Sequence, residues 1–219
     1  MGLLDELKQQ AQSAAANETD AKAQLRRHIE VVDTALRQVF GYLDELVPQL
    51  RVIKPVNPHT FKAWGAGEWT QLAFENAAVN LRQANIDNVD WFSLVEFGVN
   101  WRAPRPLTAS FSSQVEAKFL KDRLWHLGCK LEEKIVRTPE ERFLRANITV
   151  EPKLPTRLRF EAQFETGKIQ LTVRNLDQLG EDIVQLTPEE CNVTLCEELA
   201  KTLLGRPSQA AALLKRRAT

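Results

Sequence analysis

Between residues 25 and 50 the apolar side chains Leu25, Ile29, Val32, Leu36, Val39, Leu43, Leu46 and Leu50 recur at spacings of 4-3-4-3-4-3-4. At 3.6 residues per turn this alternation holds all eight on one stripe of a helix, a pattern of no use to a strand. In heptad terms Ile29, Leu36, Leu43 and Leu50 fall at a, and Leu25, Val32, Val39 and Leu46 at d. The stripe predicts a long coiled-coil-type helix with an apolar ridge that a neighbour must keep dry. Supplied from outside, that neighbour is a second copy of the chain or a partner helix, and the eight residues are then the partner-binding surface. Supplied from within, the ridge is simply the buried face of a helix lying on its own domain.

Pro48 falls late in the stripe and predicts a kink or an end there. Upstream, Leu4, Leu7, Ala11 and Ala14 make a weaker stripe in another phase. Asn17 to Asp20 bring capping residues and first-turn acids, so the expectation is a short helix, a break near residue 17 and a fresh start.

Beyond the helix the pattern changes twice. Residues 51–68, with Pro55, Pro58, Gly65 and Gly67, read as a linker between an N-terminal helical segment (1–50) and an α+β domain (69–205). Residues 69–84 are ambiguous, since Trp69, Leu72, Ala73 and Ala77 suit a helix while Val79 and Leu81 suit a strand. From Trp91 the period is two: Trp91, Val95, Phe97, Val99 and Trp101 share one face, with Ser93 its polar exception, and Pro104 and Pro106 close the strand. Ser113-Gln114-Val115-Glu116 is a capping box for a helix carrying Phe119, Leu120, Leu124 and Leu127 and ending at Gly128.

Alternating strands follow over 129–137, 143–151, 157–165 and 169–173, with a tight turn at Gly167. Thr187-Pro188-Glu189-Glu190 then opens a last helix through Leu195, Leu199 and Leu203, which ends at Gly205 and Pro207. The fold class expected is α+β: a long N-terminal coiled-coil-type helix, then a twisted antiparallel sheet packed on one face by two helices. Residues 206–219 form a basic tail with Arg206, Lys215, Arg216 and Arg217.

Composition bounds the function. Lysine plus arginine equal aspartate plus glutamate at 29 each, so no overall field favours nucleic acid or an anionic membrane. Three cysteines without framework spacing, no apolar run long enough for a membrane span, and no signal-peptide pattern point to the cytoplasm. Phosphate-loop, nucleophile-elbow and zinc motifs are all missing, and no cofactor is expected. His28 reads as a solvated helix residue, His59 as part of the linker, and His126 as a partner for the free carbonyls of a helix end.

Of the five tryptophans, Trp91, Trp101 and Trp125 fall on apolar stripes and are expected in the core. Trp64 and Trp69 flank the Gly65–Gly67 turn. On the polar side of the strands, Arg145, Arg157, Arg159, Lys168 and Arg174 make a basic strip able to hold an anionic ligand, offset by Glu161 and Glu165. The strip lacks the aromatic platforms of single-strand readers, which argues against nucleic acid. Together these features point to a non-enzymatic assembly or adaptor protein working through the heptad helix. The alternative is a small-ligand-binding domain with an apolar cavity between sheet and helix.

Overall fold

The computed structural model describes the backbone of residues 2–214 and the side chains of 17, 18 and 20–214. Lys215, Arg216 and Arg217 of the basic tail lie outside the described residues. The heptad segment lies in one helix, α1 (Leu3–Ile53), which runs unbroken through residue 17 and five residues past Pro48. Pro48 is on the exposed side. The helix stops when Lys54 turns into the left-handed region (φ 46) and its N–H donates to the Leu50 carbonyl at 2.8 Å. Pro55 follows and cannot continue a helix.

Fifteen-residue β4 (Leu72–Ile86) and fourteen-residue β5 (Val89–Arg102) form the longest hairpin. They are flanked by β1 (Val56–Asn57) on one side and by β9 (Lys153–Gln163), β10 (Lys168–Arg174) and β11 (Glu181–Leu186) on the other. The result is a six-stranded antiparallel sheet in the order β1-β4-β5-β9-β10-β11. So the segment expected as a linker supplies an edge strand of the main sheet. It also supplies β2 (Phe61–Lys62), which pairs with β3 (Glu68–Trp69) around the Gly65–Gly67 turn.

Two bulges explain what the sequence pattern left uncertain. Glu75 is an extra residue between the pairs Phe74↔Trp101 and Asn76↔Asn100. It shifts the apolar spacing of β4 by one, giving the helix-like look of residues 69–84. Ser93 is the extra residue between Arg82↔Leu94 and Gln83↔Phe92. It swaps the faces of β5, so Phe92 rather than Trp91 is buried beneath α1. Trp91 therefore stands outside the core, contrary to the alternation, and the polar exception Ser93 marks the reason.

α1 lies across β4, β5 and β9 and reaches β10 and α3 (Val193–Leu203). Its ridge shares one core cluster with Val95, Phe97, Val99, Leu158, Phe160, Leu171 and Val173, all at most 2% exposed. One buried polar contact fixes its position. Asp33, 6% exposed, accepts from the Phe92 N–H at 2.7 Å and pairs with Arg37 at 2.6 Å. The Arg37 guanidinium in turn lies 4.2 Å from the Phe92 ring centre. A carboxylate that finds a backbone donor at only one register ties the helix to that register.

The remaining elements form a second layer. β6 (Leu107–Phe111), β8 (Phe143–Val150) and β7 (Leu131–Arg137) make a three-stranded antiparallel sheet. Its apolar face is covered by α2 (Gln114–His126), whose first turn is capped by Ser113 accepting from the Glu116 N–H. Ala117, Leu120 and Leu124 are buried, but Phe119 and Trp125 are 54% and 70% exposed. Trp125 was expected in the core; it sits one helical step past Leu124 and points off the buried face.

Thr187 does not cap the last helix as the sequence suggested: its N–H donates to Glu190 at 2.8 Å, but the pair caps only a turn. The helix itself starts one turn later, at the Asn192 cap. The tail adds a short helix, α4 (Ala210–Leu213), anchored by buried Ala210 and Leu214.

Candidate functional site

Ile29, Val32, Leu36, Val39, Leu43 and Leu50 are at most 4% exposed, and they are buried by the chain's own sheet. Leu46 is half-buried and Leu25, at 37%, is exposed. The ridge offered by the sequence to a partner helix is thus filled from within. The buried arc is also wider than an a/d seam, because Asp33, Ala35 and Val47 are buried beside it. An arc this broad is what a helix presents to a globular core.

The opposite face of the six-stranded sheet is polar and carries a trough of about 760 Å3. Strand register builds its floor in rows. Gly98 of β5 faces Arg157 of β9, which faces Arg174 and then Glu181. In the next row Glu96 faces Arg159, then Thr172 and Ile183. Leu127, Gly128 and Lys130, which follow α2, close one end.

Of the residues expected to hold an anion, Arg157, Arg159 and Arg174 meet here. Lys168 shares their face but lies at the far end of β10, opposite Gln163 and outside the lining. Arg145 is on β8, in the other sheet, opposite Val136. The lining is also not basic. Lys130, Lys153, Arg157, Arg159 and Arg174 are matched by Glu75, Glu96, Glu151, Glu161 and Glu181.

Most of these charges are already paired. Arg159 holds Glu161 at 3.0 Å, Lys153 approaches Glu75 at 3.8 Å, and Glu181 bridges Arg174 and His126, the latter at 3.0 Å. Burial would raise the Glu181 carboxyl, but hydrogen bonds from Arg174 and His126 outweigh it and hold the group below its ordinary value.

Arg157 differs. Its Nη1 donates to the Thr156 carbonyl at 2.9 Å and the Val99 carbonyl at 3.3 Å, and its Nη2 to Asn100 Oδ1 at 2.9 Å. Among the described residues no carboxylate comes within ion-pair distance of it. Glu96, one row away, is likewise without an ion pair there.

A buried network supports this floor from behind. Trp101 Nε1 donates to Thr156 Oγ1 at 2.9 Å, and that hydroxyl donates to the Asn175 carbonyl at 2.7 Å. Asn175 Nδ2 donates to the carbonyls of Leu127 (2.9 Å) and Pro155 (2.8 Å), while its Oδ1 accepts from Gly180. One asparagine therefore joins the end of α2, β9 and the β10–β11 turn. No sequence motif announced it; the only signal was its place in the turn-forming run Asn175–Gly180.

A second depression, of about 380 Å3, meets the trough at Leu127 and Glu181 and runs past Trp64 and Phe119. Arg123 is stacked between those two rings, at 4.0 Å and 5.1 Å from their centres.

The histidines are apart from one another. His126 takes Glu181, His59 Nε2 bonds the Thr202 carbonyl at 2.6 Å, and half-buried His28 packs on the Gly167 turn. His28 is therefore not a solvated residue. Glu133 pairs with Lys121 at 2.7 Å. Burial pushes the thiols of Cys129 and Cys196 up to about 12, and Cys191 in the same direction. Among the described residues no cluster of metal-ligating side chains forms, and no helix is long and apolar enough to cross a membrane.

No family model matches the chain, and no curated protein or solved structure resembles it closely enough to count as a match.

Proposed function

We propose that this chain is a non-enzymatic binding protein, and more particularly an adaptor that grips a mixed-charge stretch of a partner protein in the polar trough. The observation that carries the reading is the pair of uncommitted charges on the trough floor. Among the described residues Arg157 and Glu96, of opposite sign and one strand apart, hold no ion-pair partner. The same is true of Lys130 and Glu151 in this lining, while Arg159, Arg174 and Lys153 each have a carboxylate. A lining of equal acids and bases favours a ligand that carries both signs, and penalises one that is wholly anionic.

Size supports the same choice. Small molecules are held by being mostly enclosed, whereas here the ion pairs of the lining stand part-exposed, as in Arg159 and Glu161 at 42% and 44%. An extended segment crossing several strands makes better use of such a surface. The three unbridged, buried thiols suit a reducing compartment such as the cytoplasm.

The test is selection of a displayed random-peptide library on the intact protein. The expected winners carry acidic and basic residues together, bind less tightly as salt rises, and lose binding to Arg159→Glu. Selection of purely apolar peptides, or binding indifferent to Arg159→Glu, would contradict the reading.

A second reading keeps the helix as an assembly element. The described side chains of α1 from 17 to 27 are exposed, and among the described residues burial starts at Ile29. An exposed helical stretch gains stability from a neighbour, here a second copy or a partner helix. Sedimentation equilibrium of the full chain against a form lacking residues 2–20 decides it. A dimer that becomes a monomer supports assembly, and an unchanged monomer removes it.

A further inference from the structure

We infer that Arg157 is a carboxylate seat: a guanidinium pinned to the sheet with one edge left open for the two oxygens of a single carboxylate. This rests on the trough being a binding surface and names the group it takes first.

Three features of the chain build the seat. Gly98 stands directly opposite Arg157, and a Cβ there would fall 2.8 Å from Nη1 and 3.1 Å from Cδ and Cζ. The missing side chain lets the guanidinium lie flat on β5. Nη1 then donates to the carbonyls of Val99 and Thr156, and Nη2 to Asn100 Oδ1. Nε bonds no protein atom among the described residues and Nη2 makes one bond with its two protons, so both of these neighbouring nitrogens of one rigid plane keep a donor. Two such donors are what a carboxylate bridges in a fork.

The surroundings choose among anions. Glu96 and Glu161 line the same trough, so a dianion meets more repulsion than a monoanion. A planar carboxylate with one charge fits two in-plane donors, whereas a phosphate brings extra charge against Glu96 and Glu161. Burial pulls the Arg157 guanidinium below its ordinary value while Glu96 opposes the shift. A cation already stripped of much of its water gains more from an incoming carboxylate than a solvated one does. The group's source is either a side chain or chain end of a partner, or a free small acid.

The experiment is an NMR titration of the arginine Nε–H signals of the intact protein, with sodium acetate, sodium phosphate and sodium chloride at matched ionic strength. The Arg157 signal is assigned by its loss in Arg157→Lys. Acetate is expected to shift it saturably with a Kd of the order of millimolar. Phosphate should act more weakly and chloride not at all. Gly98→Ala, which displaces the guanidinium, should weaken acetate at least about fivefold, with the amide spectrum elsewhere unchanged.

A response to acetate no greater than to chloride overturns the seat, as does full acetate binding in Gly98→Ala with Arg157 visibly displaced. Selected peptides that bind the trough while acetate leaves Arg157 unmoved would overturn the seat and spare the adaptor reading. Acetate binding without any peptide selection would do the reverse.

Discussion

Replacing Asn175 with alanine should cost more stability than its single, uncharged side chain suggests. Asn175 is 1% exposed, and its amide makes two short bonds to carbonyls that no other side chain reaches, those of Leu127 and Pro155. Each such bond is worth about 0.5–1.5 kcal/mol net, and the Leu127 carbonyl lies at a buried residue. The backbone adds a second penalty. Asn175 has φ 51, in the left-handed region that asparagine tolerates and alanine occupies at a cost of about 1 kcal/mol.

The sum for Asn175→Ala is about 2–4 kcal/mol, a sizeable part of the stability of an ordinary domain. Asn175→Gly loses the same bonds but not the backbone preference, so it should be about 1 kcal/mol less harmful. Urea unfolding followed by tryptophan fluorescence measures both. If Asn175→Ala unfolds within about 1 kcal/mol of wild type, or if glycine is as damaging as alanine, the network beneath the trough does not hold the end of α2, β9 and the β10–β11 turn together as described.

Three further outcomes follow from the same geometry. Leu36→Ala, at a fully buried position on the ridge, should cost about 2–5 kcal/mol. The unfolding midpoint of wild type and variant alike should not move with protein concentration, as it would if the ridge were sealed by a second chain. Glu181, whose folded value is depressed below the ordinary 4.5, stabilises the fold above that value and loses the contribution as pH falls through the lower, folded one. Acid titration of stability should therefore be shallower in Glu181→Gln than in wild type, and parallel curves would refute the bridge. The thiols, raised by burial, should react with a thiol reagent near pH 8 only on unfolding, all three appearing together in urea; one fast equivalent in the native protein would contradict their burial.

The helix and most strands were legible because each repeats a period. Where the reading went astray, a local event had broken the period. The bulge at Ser93 reversed the faces of Phe92 and Trp91, and the bulge at Glu75 made a strand resemble a helix. The partner of the ridge was harder, since a heptad stripe says that a neighbour exists and not whose it is. Even so, the flanking positions held a clue. Phe40 and Val47 stand among the e positions (with Arg26 and Asp33), and Ala35 and Tyr42 among the g positions (with His28 and Gln49), where a two-stranded coiled coil carries solvated Glu and Lys.

The candidate site was half visible. Alternation placed Arg157, Arg159 and Arg174 on one face, but which strands are neighbours is a matter of topology. The distance of Arg145 from that face followed only from the pairing of β8 with β6 and β7. Glu75, Glu96 and Glu181 joined the strip only through the pairings of β4, β5 and β11. The special standing of Arg157 depends on Gly98 lying opposite it, which no spacing along the chain reveals.

The central claim is that one face of the six-stranded sheet is consumed by the chain's own helix and the other is left free to bind. It is tested most directly by isotope-filtered NOE spectroscopy on an equal mixture of labelled and unlabelled chains. Contacts between the methyl groups of Leu36 and Val39 and the side chains of β5 should all fall within one chain. Contacts from those methyls that cross between labelled and unlabelled molecules would contradict it.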